Sequence, residues 1–217
     1  MHDVTTADDP GAQQARRELV RRGLLLTWLT LLYNVGEAGL SLTASVMAGS
    51  VALMAFGVDS SIEMLASVAA LWRLYSDSDQ ARREHSEKVA LRLIGFSFLA
   101  LAAYVGYQAL RVLWQAAAPE ESLLGIVVAS AAVIVMPLLA RAKTRVALEM
   151  RSGALHAEAQ QTMLCTYLSA ILLGGLVLNA TLGWWWADPL AALAMVPIIA
   201  REGWDAFRGR QCACCSG

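Results

Sequence analysis

The sequence predicts an all-α, polytopic membrane protein with six transmembrane helices. Hydrophobic residues make up 57% of the chain and charged residues only 16%, whereas a soluble domain is typically about one-quarter charged. Mean hydropathy is +0.50. Several apolar runs exceed the ~20 residues that a helix needs to cross ~30 Å of hydrocarbon. Short polar segments separate these runs, which is typical of a helical bundle in a membrane.

The apolar runs place the helices in order along the chain. We expect them at residues 23–48, 50–75, 89–117, 122–140, 154–178 and 186–207. Residues 1–22 are predicted to be a disordered cytoplasmic tail, residues 23–207 the transmembrane domain, and residues 208–217 a cysteine-containing cytoplasmic tail. The polar N-terminal segment lacks a cleavable apolar core, so no signal peptide is expected.

The basic residues predict the orientation. Six helices place both termini on one side, and every Lys and Arg except Arg111 falls on that side, including Lys143 in a predicted basic connection at 141–152. By the positive-inside rule, both termini are cytoplasmic. This topology accounts for the basic residues, so no nucleic-acid partner is expected.

Two acidic residues lie near the middle of the second apolar run. Asp59 and Glu63 are four residues apart, which puts both on one face of a helix. A carboxylate at the centre of a membrane helix costs roughly 2.5–3.5 kcal/mol, and such groups are usually functional. Two oxygen donors that face a bundle interior suit a divalent cation. The alternative is a protonated or hydrogen-bonded pair that only holds helices together.

Two other helices carry polar faces at similar depth. The first contains Thr27, Thr30, Asn34, Glu37 and Ser41, and the fifth contains Glu158, Gln161 and Cys165. At ~1.5 Å per residue, Glu37 and Glu63 both lie near the centres of their helices. Helices two and five are antiparallel, so Gln161 is expected near the level of Glu63 and Cys165 nearer Asp59. These four side chains, from the two antiparallel helices, are therefore predicted to close on one ion at mid-membrane.

Three segments resemble the cation diffusion facilitator family. GSVALMAFGVDSSIEMLASVAALWRLY resembles its second membrane helix, and SGALHAEAQQTMLCTYLSAILLGGLVLNATLGWWWADPLAAL resembles its fifth and sixth. With YNVGEAGLSL in the first helix, the chain is most similar to a short bacterial branch of the family. The resemblance implies six transmembrane helices, proton-coupled export of divalent metals across the bacterial inner (plasma) membrane, and a homodimer.

The resemblance also implies a site. The family's transport residues fall on Asp59, Glu63, Gln161 and Cys165, but most members have His or Asp at the last two positions. A cysteine thiolate beside carboxylates favours Zn²⁺, Cd²⁺ or softer ions over Mg²⁺ and Mn²⁺. Glu37 is predicted to replace the charge that is lost at Gln161 and Cys165.

Several further residues are possible accessory ligands. Glu158 lies where the family often has an aspartate. It is predicted to be a group for ion entry or proton coupling, and the alternative is an acid that only takes part in helix packing. Asn34 belongs to the polar stripe of helix one, and His156 is expected to be interfacial rather than a ligand. The tail cysteines are candidates for metal capture, although three thiols are fewer than a closed zinc site needs; palmitoylation or disorder is the alternative. They are Cys212, Cys214 and Cys215.

The expected function is therefore secondary transport of divalent transition-metal cations out of the cytoplasm. Zn²⁺ is the favoured substrate, with Cd²⁺, Co²⁺ or softer ions as others, and H⁺ is the counter-ion; no permanent cofactor is expected. The alternative is a non-transporting membrane metal-binding or sensor protein. An enzyme is not expected, because no GxSxG, HExxH or phosphate-binding glycine-rich motif occurs. The chain also ends soon after helix six, without the cytoplasmic domain of many family members. A dimer is therefore expected either to form through the membrane helices or not to form.

Overall fold

A computed structural model describes residues 10–48, 51–77, 80–115, 123–184 and 186–209. These residues form helices only, which confirms the all-α prediction for the part of the chain described. The helices are α1 (Pro10–Ala48), α2 (Val51–Tyr75), α3 (Gln80–Gln115), α4 (Leu123–Met150), α5 (Gly153–Leu182) and α6 (Ala187–Phe207). Two segments within them, Arg82–Gln115 and Ile126–Met150, are long and apolar enough to cross a membrane.

Four helices extend beyond their predicted ends, and one of them is α5, which reaches Leu182 instead of residue 178. α1 begins at Pro10, so residues 10–22 are helical rather than the disordered tail predicted. α3 begins at Gln80 instead of residue 89, and α4 continues to Met150 through most of the predicted connection at 141–152. Hydropathy marks only the apolar part of a helix, whereas Arg, Lys, Gln and Glu are good helix formers that prolong it. Residues 1–9 lie outside the described chain.

The bundle brings together the helices on which the site was predicted. α2 packs against α1, α3 and α5, and α4 packs against α1 and α5. An apolar core between α2, α3, α5 and α6 includes Ala66, Ile94, Phe98, Leu164 and Ile199. Many large apolar side chains face outward, as expected of helices in contact with lipid. α2 is thus held between α1 and α5.

Buried charges join four helices at one end of the bundle. Arg73 of α2 is 2% exposed and donates hydrogen bonds to Glu87 of α3 and, at 2.7 Å, to Asp77. Arg16 of α1 donates to Asp77 at 2.8 Å. Glu87 also accepts the backbone N–H of Ala154 at 2.6 Å, which satisfies a free donor at the start of α5. These contacts fix the relative positions of α1, α2, α3 and α5 at this end.

Two glycines bring α3 and α6 into backbone contact. A Cβ atom on Gly95 would lie 2.5 Å from the backbone nitrogen of Phe207 and 2.8 Å from the carbonyl oxygen of Gly203. A Cβ atom on Gly203 would lie 2.7 Å from that of Phe98. Backbone atoms cannot give way as a flexible side chain does, so both positions require glycine.

We expect Gly95→Ala to destabilise the protein by about 1–3 kcal/mol, because overpacking forces the two helix backbones apart. Thermal unfolding of the purified protein in detergent measures the effect. Gly106→Ala on the same helix is the matched control, since its Cβ atom would meet Val196 at an ordinary 3.7 Å. Equal melting temperatures for the two variants would contradict the close α3–α6 packing.

Candidate metal site

α2 places Asp59 and Glu63 on the face that meets α1 and α5, as their spacing predicted. Glu63 is 2% exposed, and within the described residues neither of its carboxylate oxygens has a hydrogen-bond partner. Asp59 is partly buried one turn away. Buried polar atoms in folded proteins nearly always have a partner, and a buried carboxylate without one is costly. Glu63 is therefore a buried carboxylate whose two oxygens are not satisfied by hydrogen bonds from the described residues.

α5 contributes a thiol to the same place. Cys165 is 2% exposed and is a free cysteine. Its side chain lies next to both the Asp59 and the Glu63 carboxyl groups. Thr162, one turn earlier on α5, also lies next to Glu63. The structure thus brings together three of the predicted ligand residues, two from α2 and one from α5.

Gln161 is buried in the same region but is engaged elsewhere. Its side-chain oxygen, the atom that would bind a metal, accepts a hydrogen bond from Ser97 of α3 at 3.0 Å. Its side-chain nitrogen has no partner among the described residues. The structure therefore directs the amide toward α3, and the side-chain oxygen keeps a second lone pair that could bind an ion.

α1 supplies a third acid at this depth. Glu37 is 5% exposed, and one carboxylate oxygen accepts a hydrogen bond from Ser60 of α2 at 2.8 Å. Its other oxygen has no partner in the described chain. Its charge is close enough to repel Glu63 and Asp59. Asn34, one turn earlier, is fully buried with both polar atoms unpaired among the described residues. α1 thus lines the same polar interior.

A buried ion pair lies beside the acids and was not foreseen. Lys143 of α4 and Glu158 of α5 are both 0% exposed and meet at 2.7 Å. The same ammonium group donates to the Thr162 hydroxyl at 2.7 Å, and Ser67 of α2 donates to Glu158 at 3.0 Å. Glu158 is therefore bound to a lysine here, and it holds α2, α4 and α5 together.

A pattern in the sequence marks Lys143 as an interior residue. It belongs to a stripe with a spacing of four, three, four and three, which is the period of one helix face. All members of that stripe are buried: Met136, Ala140, Lys143, Ala147 and Met150. The basic neighbours of Lys143 and the end of the apolar run at residue 140 concealed this pattern.

The remaining predicted residues lie away from the acids or outside the described chain. His156 is partly buried in the first turn of α5 and lies near the charge of Glu202 on α6. Cys212, Cys214 and Cys215 belong to residues that the structure does not describe. Across the described ranges, no three His, Cys, Asp or Glu side chains form a ready-made metal centre. The donors are adjacent but have not converged on one point.

Comparison with known proteins identifies the family. Residues 27–209 match the family model described as the cation efflux transmembrane domain. A curated relative, an uncharacterised transporter of Synechocystis sp., is 29% identical over 163 residues, which cover 72% of this chain and 53% of the relative. The chain thus spans about half the length of that relative. It belongs to the cation efflux (cation diffusion facilitator) family, which confirms the resemblance drawn from α1, α2, α5 and α6.

Proposed function

We propose that the protein exports divalent transition-metal cations from the cytoplasm, with Zn²⁺ the favoured substrate and Cd²⁺ or Co²⁺ also accepted. The observation that carries this proposal is the buried Glu63 carboxylate, which has no hydrogen-bond partner in the described chain and lies beside Asp59 and Cys165. It occurs inside a domain of the cation efflux family. A dication is the chemical group that would satisfy all three side chains at once.

The donor set supports a zinc-type ion. Zn²⁺ takes four ligands from thiolate, imidazole and carboxylate groups. Asp59, Glu63 and Cys165 provide three, and Glu37 of α1 is a further acid that interacts with both carboxylates. Side-chain rotation would bring these groups onto one ion. Because they belong to α1, α2 and α5, a bound ion would link three helices, and relative movement of those helices would open or close the site.

Proton antiport supplies a driving force in this proposal. A carboxylate or thiolate binds either a metal or a proton, so metal release is favoured where protons are abundant. The basic ends of the helices face the cytoplasm by the positive-inside rule, with both termini on that side of a bacterial inner membrane. The working unit is proposed to be a homodimer that forms through its lipid-embedded helices.

A flux assay tests the proposal. Purified protein is placed in liposomes loaded with a zinc-sensitive dye. The liposomes should accumulate Zn²⁺ when an outward proton gradient is imposed, and the lumen should become more alkaline as protons leave in exchange. Empty liposomes are the control. Absence of proton-linked flux from protein that still binds metal would instead support the second candidate, a membrane metal-binding or sensor protein. The departure from the family's ligands at Gln161 and Cys165 is the observation that favours this second candidate.

A further inference from the structure

We propose that Lys143 is a tethered cation that sets the metal affinity of the site. Its ammonium group lies beside the acids and opposes excessively tight binding of a dication, so that the ion can leave. Glu158, its partner, has the opposite effect. This inference rests on the proposed function. It assigns control of the metal affinity to a residue of α4, a helix that supplies none of the proposed ligands.

Burial makes the pair more than a surface salt bridge. Both side chains are 0% exposed, so water does not screen their charges. Lys143 makes hydrogen bonds to Glu158 and Thr162, each 2.7 Å long. A pair of this kind contributes little net stability, because apolar residues of similar size often replace it without loss. Packing alone therefore does not explain why a charged pair occupies this buried position.

Thr162 links the lysine to the candidate ligands. Its hydroxyl group accepts a hydrogen bond from the Lys143 ammonium group, and its side chain also lies next to the Glu63 carboxylate. The Lys143 ammonium group therefore lies one side chain away from the Glu63 carboxylate. A positive charge at this place attracts the Glu63 carboxylate but repels a dication bound to it.

Two further acids face this region. Glu37 from α1 and Asp59 from α2 act on Glu63 or on each other. With Glu63 and Glu158 they would bind a dication strongly enough to slow its release. Tight binding in the ground state lowers KM but does not raise turnover. A fixed positive charge nearby weakens the binding of the dication, and so speeds its release, without occupying a ligand position.

Neutralising Lys143 and neutralising Glu158 should change the metal affinity in opposite directions. We expect Lys143→Met to tighten Cd²⁺ and Zn²⁺ binding by about tenfold, because a unit charge near the ion is removed from a poorly screened site. KM and turnover in liposomes should both fall. Glu158→Gln should loosen binding by a similar factor. Calorimetric titration of the full-length protein in detergent measures both.

Two controls separate this role from a structural one. Lys88→Met removes an exposed lysine of α3 and should leave affinity unchanged, and Lys143→Arg keeps the charge and should restore wild-type affinity. A purely structural pair predicts that both single variants bind more weakly. That result, or an unchanged affinity in Lys143→Met, would overturn the inference.

The double variant keeps the test decisive if a single variant fails to fold. Lys143→Met with Glu158→Gln leaves no unpaired charge. It should bind Cd²⁺ more tightly than wild type, because the ammonium group that contacts Thr162 beside Glu63 is removed. Equal or weaker binding would overturn the inference. Wild-type protein that binds neither metal would overturn the proposed function itself, and this inference with it.

Discussion

Glu63→Gln is expected to lower Zn²⁺ flux by more than about 100-fold, since even residues that only support a metal ligand are commonly worth about 10- to 100-fold. The substitution keeps the shape of the side chain and removes its charge. Both carboxylate oxygens are unpaired in the described chain, so the neutral amide should not weaken folding. Flux in liposomes and the melting temperature in detergent together measure the two effects.

A surface acid provides the matched control for that prediction. Glu84→Gln changes an exposed carboxylate on α3 in the same way and should transport normally. If Glu63→Gln transports like the wild type, the assignment of Glu63 as a ligand is wrong. If it loses flux only because the protein unfolds, the melting temperature will show it.

Cys165→Asp is expected to change which metal is carried. The substitution exchanges a soft sulfur donor for a hard oxygen donor between two carboxylates. We expect the preference for Cd²⁺ over Mn²⁺ to fall by about tenfold or more, because thiolates select soft ions and carboxylates select hard ones. Competition between the two metals in the liposome assay measures the ratio directly.

Cys165→Ser distinguishes loss of sulfur from gain of an acid. It should weaken Cd²⁺ transport without improving Mn²⁺ transport, because a hydroxyl group adds no charge. An unchanged Cd²⁺ to Mn²⁺ ratio in both variants would show that the thiol does not touch the transported ion, even though Cys165 lies next to Asp59 and Glu63.

The sequence predicted the parts of the site that depend on helical period. Asp59 and Glu63 share a face because they are four residues apart, and Cys165 meets them because α2 and α5 are antiparallel and the depth of each residue follows from the rise per residue. These inferences need only the helical period, the rise per residue and the pairing of α2 with α5. Glu37 reaches the same level by the same reasoning.

The residues that were missed depend on packing or on helix ends. Gln161 bonds to Ser97 because α3 also touches α5, and which helices meet is not encoded in a periodic pattern. Lys143 was placed in a connection because hydropathy does not register the polar continuation of a helix. The early starts of α1 and α3 were missed for the same reason.

The central claim is that α2 and α5 bind one ion together, and cadmium–thiolate absorption tests it most directly. The chain contains 4 cysteines, so replacing Cys212, Cys214 and Cys215 by serine leaves Cys165 as the sole thiol. We predict that Cd²⁺ then produces an ultraviolet charge-transfer band which saturates at one ion per chain and is lost in Glu63→Gln. A band that is absent, or that is unaffected by Glu63→Gln, would contradict the account.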